Sequence, residues 1–107
     1  MRDPAEYDEA VFAVVDQIPA GRVLSYGDIA ELLGGFGPRR VALAMTRSAG
    51  AVPWHRVVRA DGLPAPHLAH EQLARLRAEA TPLRGDRVDM SRGRWAGPSP
   101  DDQVTWS

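Results

Sequence analysis

The chain has 107 residues, of which 44% are hydrophobic and 25% charged, a balance typical of one globular domain with a modest core. It contains no cysteine, which excludes disulfide bonds, thiolate metal ligands and a cysteine nucleophile. The net charge of −1 argues against a strongly basic protein that binds nucleic acids non-specifically.

Neither a membrane segment nor a metal site is indicated. No apolar run approaches the ~20 residues that span a bilayer, and the acidic N-terminal segment is unlike a signal peptide, so we expect a cytoplasmic monomer. His67 and His70 have the i, i+3 spacing of a metal pair, but no carboxylate or third histidine clusters with them. We therefore expect no metal and no cofactor, and a loop followed by a helix start at these histidines.

Charge is unevenly distributed along the chain. The first 31 residues carry seven acidic residues and two arginines, whereas no acidic residue lies between Glu31 and Asp61. This central segment contains Arg39, Arg40, Arg47, Arg56 and Arg59. An all-basic segment favours contacts with phosphates, although a solvated face that lacks acidic residues gives the same pattern.

The first predicted element is a helix over Ala5–Gln17. Its apolar residues recur at the spacing of one helical face, and the Pro-Ala-Gly sequence at 19–21 ends it. Residues 22–24 follow as a short extended segment.

The next two elements have the outline of a helix-turn-helix. Ser25 and Asp28 have the spacing of a capping box, which begins a second helix that runs to Leu33. The glycine-rich residues 34–37 break this helix, and a third helix is predicted from Pro38 to about Ser48. Because it is rich in arginine and alanine and poor in large apolar residues, the third helix resembles a recognition helix more than a core helix.

The C-terminal part is predicted to be less regular. Asp61-Gly62 marks a turn, Pro64–Pro66 a rigid loop, Glu71–Ala80 a helix and Arg87–Met90 a short strand. Residues 96–107, which include Trp106, have the composition of a flexible tail. The folded domain is therefore predicted to span residues 1–95.

Three ordered motifs indicate the function. The first motif consists of Ile18–Val23 followed by Ser25–Ala30. The second lies in the third helix and reads Arg39-x-Val41-x-x-Ala44-Met45. The third is Pro-Trp-His-Arg-Val at Pro53–Val57. Together they resemble the O6-alkylguanine-DNA alkyltransferase family over residues 12–95. The family's active-site motif is Pro-Cys-His-Arg-Val, so Trp54 stands where the reactive cysteine is expected.

Within this family, tryptophan at the cysteine position marks the alkyltransferase-like proteins. The resemblance implies a mostly α-helical fold with minor β structure, a winged-helix-like helix-turn-helix domain as in the alkyltransferases. It also implies a protein that is not an enzyme. Such a protein binds O6-alkylguanine in double-stranded DNA through the minor groove, flips the nucleotide and hands the lesion to nucleotide excision repair proteins. The chemistry agrees, because a thiolate accepts an alkyl group whereas an indole offers only an N–H donor and an aromatic face.

The resemblance implies a lesion pocket formed by Tyr26, Pro53, Trp54, His55, Val57 and His67. Trp54 would form its floor, Pro53 would fix the turn, and the Val57 backbone would present hydrogen-bonding groups to guanine. Tyr26 would lie beside the phosphate of the flipped nucleotide. Considered without the motifs, Tyr26 is more typical of a core residue, and Trp54 of a core or interface residue.

The implied DNA-contacting residues are Tyr26, Arg39, Arg40 and Arg47. Arg39 matches the finger arginine that fills the space left by the extruded nucleotide, since a planar guanidinium stacks on bases and donates several hydrogen bonds. A phosphate-binding surface arginine is one alternative for Arg39, and a shift of the finger role to Arg40 is another.

His55 and Glu79 match the histidine and the carboxylate that activate the cysteine in the alkyltransferases. Because this chain has no thiol to deprotonate, we expect His55 and Glu79 to support the pocket. Arg56 is expected to tie the loop down rather than to contact DNA.

The chain also departs from the family pattern. Ala42 replaces the glycine of the recognition helix, the Gly-Gly-Phe-Gly turn at 34–37 is unusual, and Pro64–His67 replaces the Tyr-Ser-Gly-Gly of the pocket loop. Alkyltransferase-like proteins tend to carry a basic residue in this loop, and His67 falls near that place. Three competing hypotheses stay open: residual alkyl transfer, a sequence-specific helix-turn-helix regulator, and a structural relative that binds no DNA.

Overall fold

The computed structural model describes residues 3–48 and 50–98, and it places helices around two small pairs of strands. The α-helices are α1 (Pro4–Gln17), α2 (Tyr26–Leu33), α3 (Pro38–Thr46), α4 (Ala69–Ala78) and α5 (Met90–Gly93). The strands are β1 (Leu24–Ser25), β2 (Val57–Val58), β3 (Leu83–Arg84) and β4 (Arg87–Val88), and 3₁₀ turns cover Trp54–Arg56 and Pro66–Leu68. The predicted fold class, mostly α with minor β structure, is confirmed.

Helix starts follow the local signals in the sequence. The Asp3 carboxylate accepts a hydrogen bond from the Ala5 N–H at 2.8 Å and caps α1. At α2 the predicted capping box is present, because Ser25 Oγ accepts from the Asp28 N–H at 3.0 Å and Asp28 Oδ2 accepts from the Ser25 N–H at 2.9 Å. Pro38 occupies the first turn of α3.

The helix-turn-helix packs against α1 through one hydrophobic core. The side chains of Val11, Val15, Ile29, Val41 and Ala44 are fully buried in this core. Within α3, Val41 and Ala44 are buried, Arg40 turns toward α1, and the other residues are exposed or line a cavity. The small buried face of α3 agrees with the prediction that it is not a core helix.

A parallel pair of short strands joins the two halves of the chain. Leu24 of β1 pairs with Val57 of β2, and Ser25 pairs with Val58. Because α2 begins directly after β1, this pairing places the start of α2 beside the Pro53–Val57 motif. Val58 continues into a second core, together with Val23, Leu76 and Val88.

Two predicted boundaries are wrong in the C-terminal part. The predicted strand over Arg87–Met90 ends at Val88, because the Asp89 carboxylate accepts from the Ser91 N–H at 3.1 Å and starts α5. Its antiparallel partner β3 was not predicted.

The helix predicted over Glu71–Ala80 runs over Ala69–Ala78, since Ala80 adopts a left-handed φ of 60° that ends it. The third helix ends at Thr46, two residues before the predicted Ser48.

Trp95 lies near the C-terminal end of the described residues. Its side chain packs against the main core, and its backbone N–H donates to the Val23 carbonyl at 2.8 Å. Residues 99–107 of the predicted tail, with Trp106, lie outside the described residues. Within residues 3–48 and 50–98, no helix is long and apolar enough to cross a membrane, and no three metal-ligating side chains cluster.

Gly62 lets the turn after β2 approach β4 closely. It has a φ of +87° and is buried, and its carbonyl accepts a hydrogen bond from the Val88 N–H at 3.0 Å. A Cβ at this position would collide with the Val88 carbonyl oxygen. Gly85 also has a positive φ, +63°, but a Cβ there would meet nothing within 4 Å.

We expect Gly62→Ala to lower the free energy of unfolding by roughly 3 kcal/mol or more, because steric overlap adds to backbone strain. The matched variant Gly85→Ala carries the strain alone and should cost about 1 kcal/mol. Urea unfolding at pH 7 measures both. Equal costs for the two variants would show that the contact with Val88 is unimportant.

Candidate functional site

A cavity of about 510 Å³ lies between α3, the Pro53–Val57 motif and the start of α4. This volume is in the range of pockets that hold small organic molecules. Four of the six predicted pocket residues, Tyr26, Trp54, Val57 and His67, line it. The structure brings these four together from separate segments of the chain, whereas Pro53 and His55 are not among the lining residues.

Trp54 is half-buried and forms part of the cavity wall, so it is not enclosed in the core. It opens a 3₁₀ turn directly after Pro53, and its backbone N–H donates to the Val52 carbonyl at 2.7 Å. The guanidinium of Arg75, a residue that the sequence analysis did not single out, lies 5.5 Å from the centroid of the indole ring. The indole is therefore held between the cavity and a cation.

Tyr26 lines the same cavity from the first position of α2. Its side chain is partly buried, and burial raises the pKa of its phenol above the usual value. The hydroxyl thus keeps its proton at neutral pH and can donate as well as accept a hydrogen bond. This position follows from the β1–β2 pairing, which sets Ser25 opposite Val58.

The carboxylate of Glu79, just after α4, holds the motif in place. Glu79 Oε1 accepts from Arg56 Nε at 3.0 Å, and Oε2 accepts from the terminal nitrogen of Arg56 at 2.6 Å and lies 2.9 Å from His55 Nε2. The other terminal nitrogen of Arg56 donates to the Ile18 carbonyl at 2.9 Å. Arg56 therefore ties the motif to α4 and to the end of α1.

These contacts set the charge of Glu79. The hydrogen bonds from Arg56, supported by that from His55 and by the nearby positive charge, lower the pKa of Glu79 from 4.5 to about 2, although burial acts in the opposite direction. The carboxylate is thus ionised throughout the physiological range.

Gln72, which the sequence analysis did not identify, links the motif to the loop across the cavity. Its side chain is 1% exposed, its Nε2 donates to the carbonyls of His55 at 3.1 Å and Val57 at 2.8 Å, and its Oε1 accepts from the Ala65 N–H at 3.1 Å. The available signal was a glutamine four residues before Leu76, on the apolar face of α4.

Arg39 is exposed in the first turn of α3. Among the described residues it has no hydrogen-bond or ion-pair partner, so its guanidinium is available to a ligand. Leu43, one turn further along the helix, is 45% exposed on the same side. The methyl group of Ala42, the position where the family has glycine, faces the cavity.

Arg40, which the resemblance places among the DNA-contacting residues, lies against α1. Its side chain is 16% exposed and turns toward α1, where it donates to Asp8 Oδ1 at 2.7 Å and to the Pro4 carbonyl at 2.9 Å. Its guanidinium also lies 4.8 Å from the ring centroid of Tyr7. These contacts use two of the five N–H donors of a largely buried side chain, so we place Arg40 at the junction of α1 and α3.

Asp8 binds a second arginine of α3, since its Oδ2 accepts from Arg47 at 2.9 Å. Burial by itself would raise the pKa of Asp8, but the hydrogen bonds from Arg47 and Arg40 outweigh it and lower the pKa. The side chain of Arg47 stays 49% exposed, so part of it can still reach a phosphate.

The unusual Gly-Gly-Phe-Gly turn at residues 34–37 packs against the junction of α1 and α3. The ring centroids of Phe36 and Tyr7 lie 4.8 Å apart in an edge-to-face contact. The Phe36 centroid lies 5.9 Å from the Arg40 guanidinium carbon. The turn thus covers the contact between α1 and α3.

The pairing of Glu79 predicts a pH-dependent contribution to stability. Because the folded pKa is depressed to about 2, this carboxylate should contribute about 3 kcal/mol above pH 4.5 and progressively less as the pH falls toward 2. Urea unfolding of wild type and Glu79→Gln should show a large difference at pH 7 that narrows by pH 2.5. The exposed Glu9→Gln control should differ from wild type by less than ~0.5 kcal/mol at either pH. A Glu79→Gln effect that is constant with pH would contradict the ion-pair interpretation.

Comparison with known proteins agrees with this geometry. Residues 6–81 match the family model of the 6-O-methylguanine DNA methyltransferase DNA-binding domain. A DNA base-flipping protein of Escherichia coli (strain K12) is 34% identical over 102 residues, which cover 89% of this chain and 78% of the relative. A methylated-DNA–protein-cysteine methyltransferase of Methanothermobacter thermautotrophicus is 42% identical over 59 residues, 53% of this chain and 33% of that protein.

Among solved structures, S. pombe Atl1 in complex with damaged DNA containing O6-carboxymethylguanine superimposes with a TM-score of 0.76 at 28% identity, over 89% of this chain and 98% of Atl1. The Mycobacterium tuberculosis methyltransferase OGT in complex with DNA gives a TM-score of 0.63 at 29% identity, over 78% of this chain and 53% of OGT. The chain therefore belongs to the 6-O-methylguanine DNA methyltransferase DNA-binding-domain family and, with Trp54 in a sequence without cysteine, to its alkyltransferase-like members.

Proposed function

We propose that this protein is a non-enzymatic sensor of DNA damage that binds O6-alkylguanine in duplex DNA and receives the flipped nucleotide beside Trp54. The observation that carries the proposal is the cavity of about 510 Å³ under α3, lined by Tyr26 and Trp54, in a chain without cysteine. The E. coli relative is named a DNA base-flipping protein, and Atl1 is solved with O6-carboxymethylguanine in DNA, which supports the same activity here.

Helix α3 is suited to deliver a nucleotide to the cavity. Ala42 and Met45 line the cavity, whereas Arg39 and Leu43 on the neighbouring side are exposed. With α3 in the minor groove, the Arg39 guanidinium fills the space left in the base stack, and DNA bends away from the helix. Flipping costs a few kcal/mol, least for a damaged base, and the arginine offsets part of this cost.

The cavity offers mostly apolar contacts to a base. The indole of Trp54 provides a stacking surface, which is worth about 1–3 kcal/mol per base, and Met45 and Leu68 provide apolar surface for an alkyl group on O6. The hydroxyl of Tyr26 adds a donor at the wall. An O6-alkylguanine therefore gains more from this cavity than an unmodified guanine, whose base pair is also harder to open.

No group in the site can accept the alkyl group from the lesion in the way a thiolate does. The indole N–H of Trp54 is a donor only, and the Glu79 carboxylate is occupied by both His55 and Arg56. The lesion therefore stays in place after binding. We propose that the persistent, bent complex is the signal that recruits nucleotide excision repair proteins, and that a monomer of the protein acts in the cytoplasm, on the nucleoid when bound.

Binding to two matched duplexes, with guanine or O6-methylguanine at one position, tests the proposal. Wild type should bind the lesion duplex at least tenfold more tightly. Arg39→Ala should weaken lesion binding about tenfold or more, because the stack is left unfilled. Trp54→Ala should remove most of the lesion preference by deleting the stacking surface. Arg84→Ala, an exposed arginine on β3 that does not line the cavity, is the matched control and should change little.

Equal affinity of wild type for the two duplexes would refute the lesion-sensor function. Tight binding to one unmodified sequence, without lesion preference, would instead support a sequence-specific regulator.

A transfer experiment separates sensing from repair. Incubation with duplex DNA that carries isotope-labelled O6-methylguanine should leave the label in the DNA and none on the protein, because the chain has no thiolate to accept it. The Methanothermobacter methyltransferase serves as a positive control. Stoichiometric labelling of this protein would contradict the assignment.

A further inference from the structure

One acidic side chain lines the cavity, although the ligand proposed for the cavity is a nucleotide, which is itself anionic. Glu71, in the first turn of α4, lines the cavity, and among the described residues that line it no other carries a carboxylate. Among the described lining residues there is no arginine, and the one basic side chain is that of His67, so Glu71 brings negative charge to the cavity wall. Neither the family motifs nor the chemistry of Trp54 accounts for Glu71.

The partner of Glu71 is the arginine that lies over Trp54. Glu71 Oε2 accepts a hydrogen bond from Arg75 Nε at 3.2 Å and lies 3.0 Å from a terminal nitrogen of Arg75, an i, i+4 ion pair on α4. The Arg75 guanidinium lies 5.5 Å from the Trp54 ring centroid. Arg75 therefore lies beside the Trp54 indole, whereas Glu71, the negative member of the ion pair, lines the cavity.

We propose that Glu71 and Arg75 select among O6 substituents by charge, favouring neutral alkyl groups over anionic ones such as carboxymethyl. The inference rests on the proposed function, because it concerns the substituent of the flipped base. An anionic substituent in the cavity lies near the Glu71 carboxylate and is repelled by it. Arg75 weakens this repulsion by neutralising part of the charge.

The size of the effect follows from exposure. The side chains of Glu71 and Arg75 are 54% and 52% exposed, so water and salt screen their fields. We expect the ratio of the two dissociation constants, carboxymethyl over methyl, to be about two- to fivefold in wild type at low salt. It should decrease as the ionic strength rises.

The two members of the pair should act in opposite directions. Duplexes with O6-methylguanine or O6-carboxymethylguanine at one position are bound by wild type, Glu71→Gln and Arg75→Gln. Glu71→Gln should bring the ratio close to one, and Arg75→Gln should raise it severalfold above wild type. Glu31→Gln changes the net charge equally, but it lies away from the cavity, so the ratio should stay at the wild-type value. Thermal unfolding of each variant checks that the fold is retained.

A purely structural role for the pair predicts a different result. If Glu71 only favours the start of α4 through the helix dipole, Glu71→Gln lowers stability and affects both duplexes equally, and the unchanged ratio overturns the proposal. If wild type does not distinguish O6-methylguanine from guanine, the proposed function itself fails. If it does, and the ratio is insensitive to both substitutions, only the charge selection fails.

Discussion

The arrangement of the site depends on one carboxylate. Glu79 binds Arg56 through both of its oxygens and His55 through one of them, and Arg56 extends the contact to the Ile18 carbonyl. The turn that carries Trp54 is only three residues long and has no side-chain cap, so it has little stability of its own. The Trp54 indole lies at the cavity because Glu79 holds the next two residues, His55 and Arg56, in place. The ion pair thus converts a short irregular segment into a rigid wall.

Two further connections bring distant segments to the same cavity. The parallel β1–β2 pair sets Tyr26 beside Val57, and Gln72 joins the backbone of the motif to the Pro64–His67 loop. Asp8 fixes α3 against α1, which leaves Arg39 as the outward-facing arginine of the first turn. The exposed face of α3 and the cavity are therefore parts of one rigid unit. Such preorganisation lowers the entropic cost of binding a flipped nucleotide.

Much of this arrangement could be predicted from local rules. The Ser25–Asp28 capping box, the proline at the start of α3 and the tryptophan in place of a cysteine depend on neighbouring residues, which the sequence displays directly. The contacts of Arg40 and Gln72 were not predicted, because they depend on partners 15 to 36 residues away, Asp8 and Pro4 for one and the motif carbonyls for the other. Strand β3 has only two residues and no periodicity, so no pattern marks it.

The Glu79 contacts also bear on why a chain without a reactive cysteine retains the residues that surround one. Removal of the Glu79 carboxylate would leave the largely buried Arg56 guanidinium without its anionic partner, which would lower the free energy of unfolding. Stability of the folded domain is therefore a sufficient reason for His55, Arg56 and Glu79 to stand together in a chain without cysteine. These three residues are evidence of architecture, and by themselves they are no evidence of alkyl transfer.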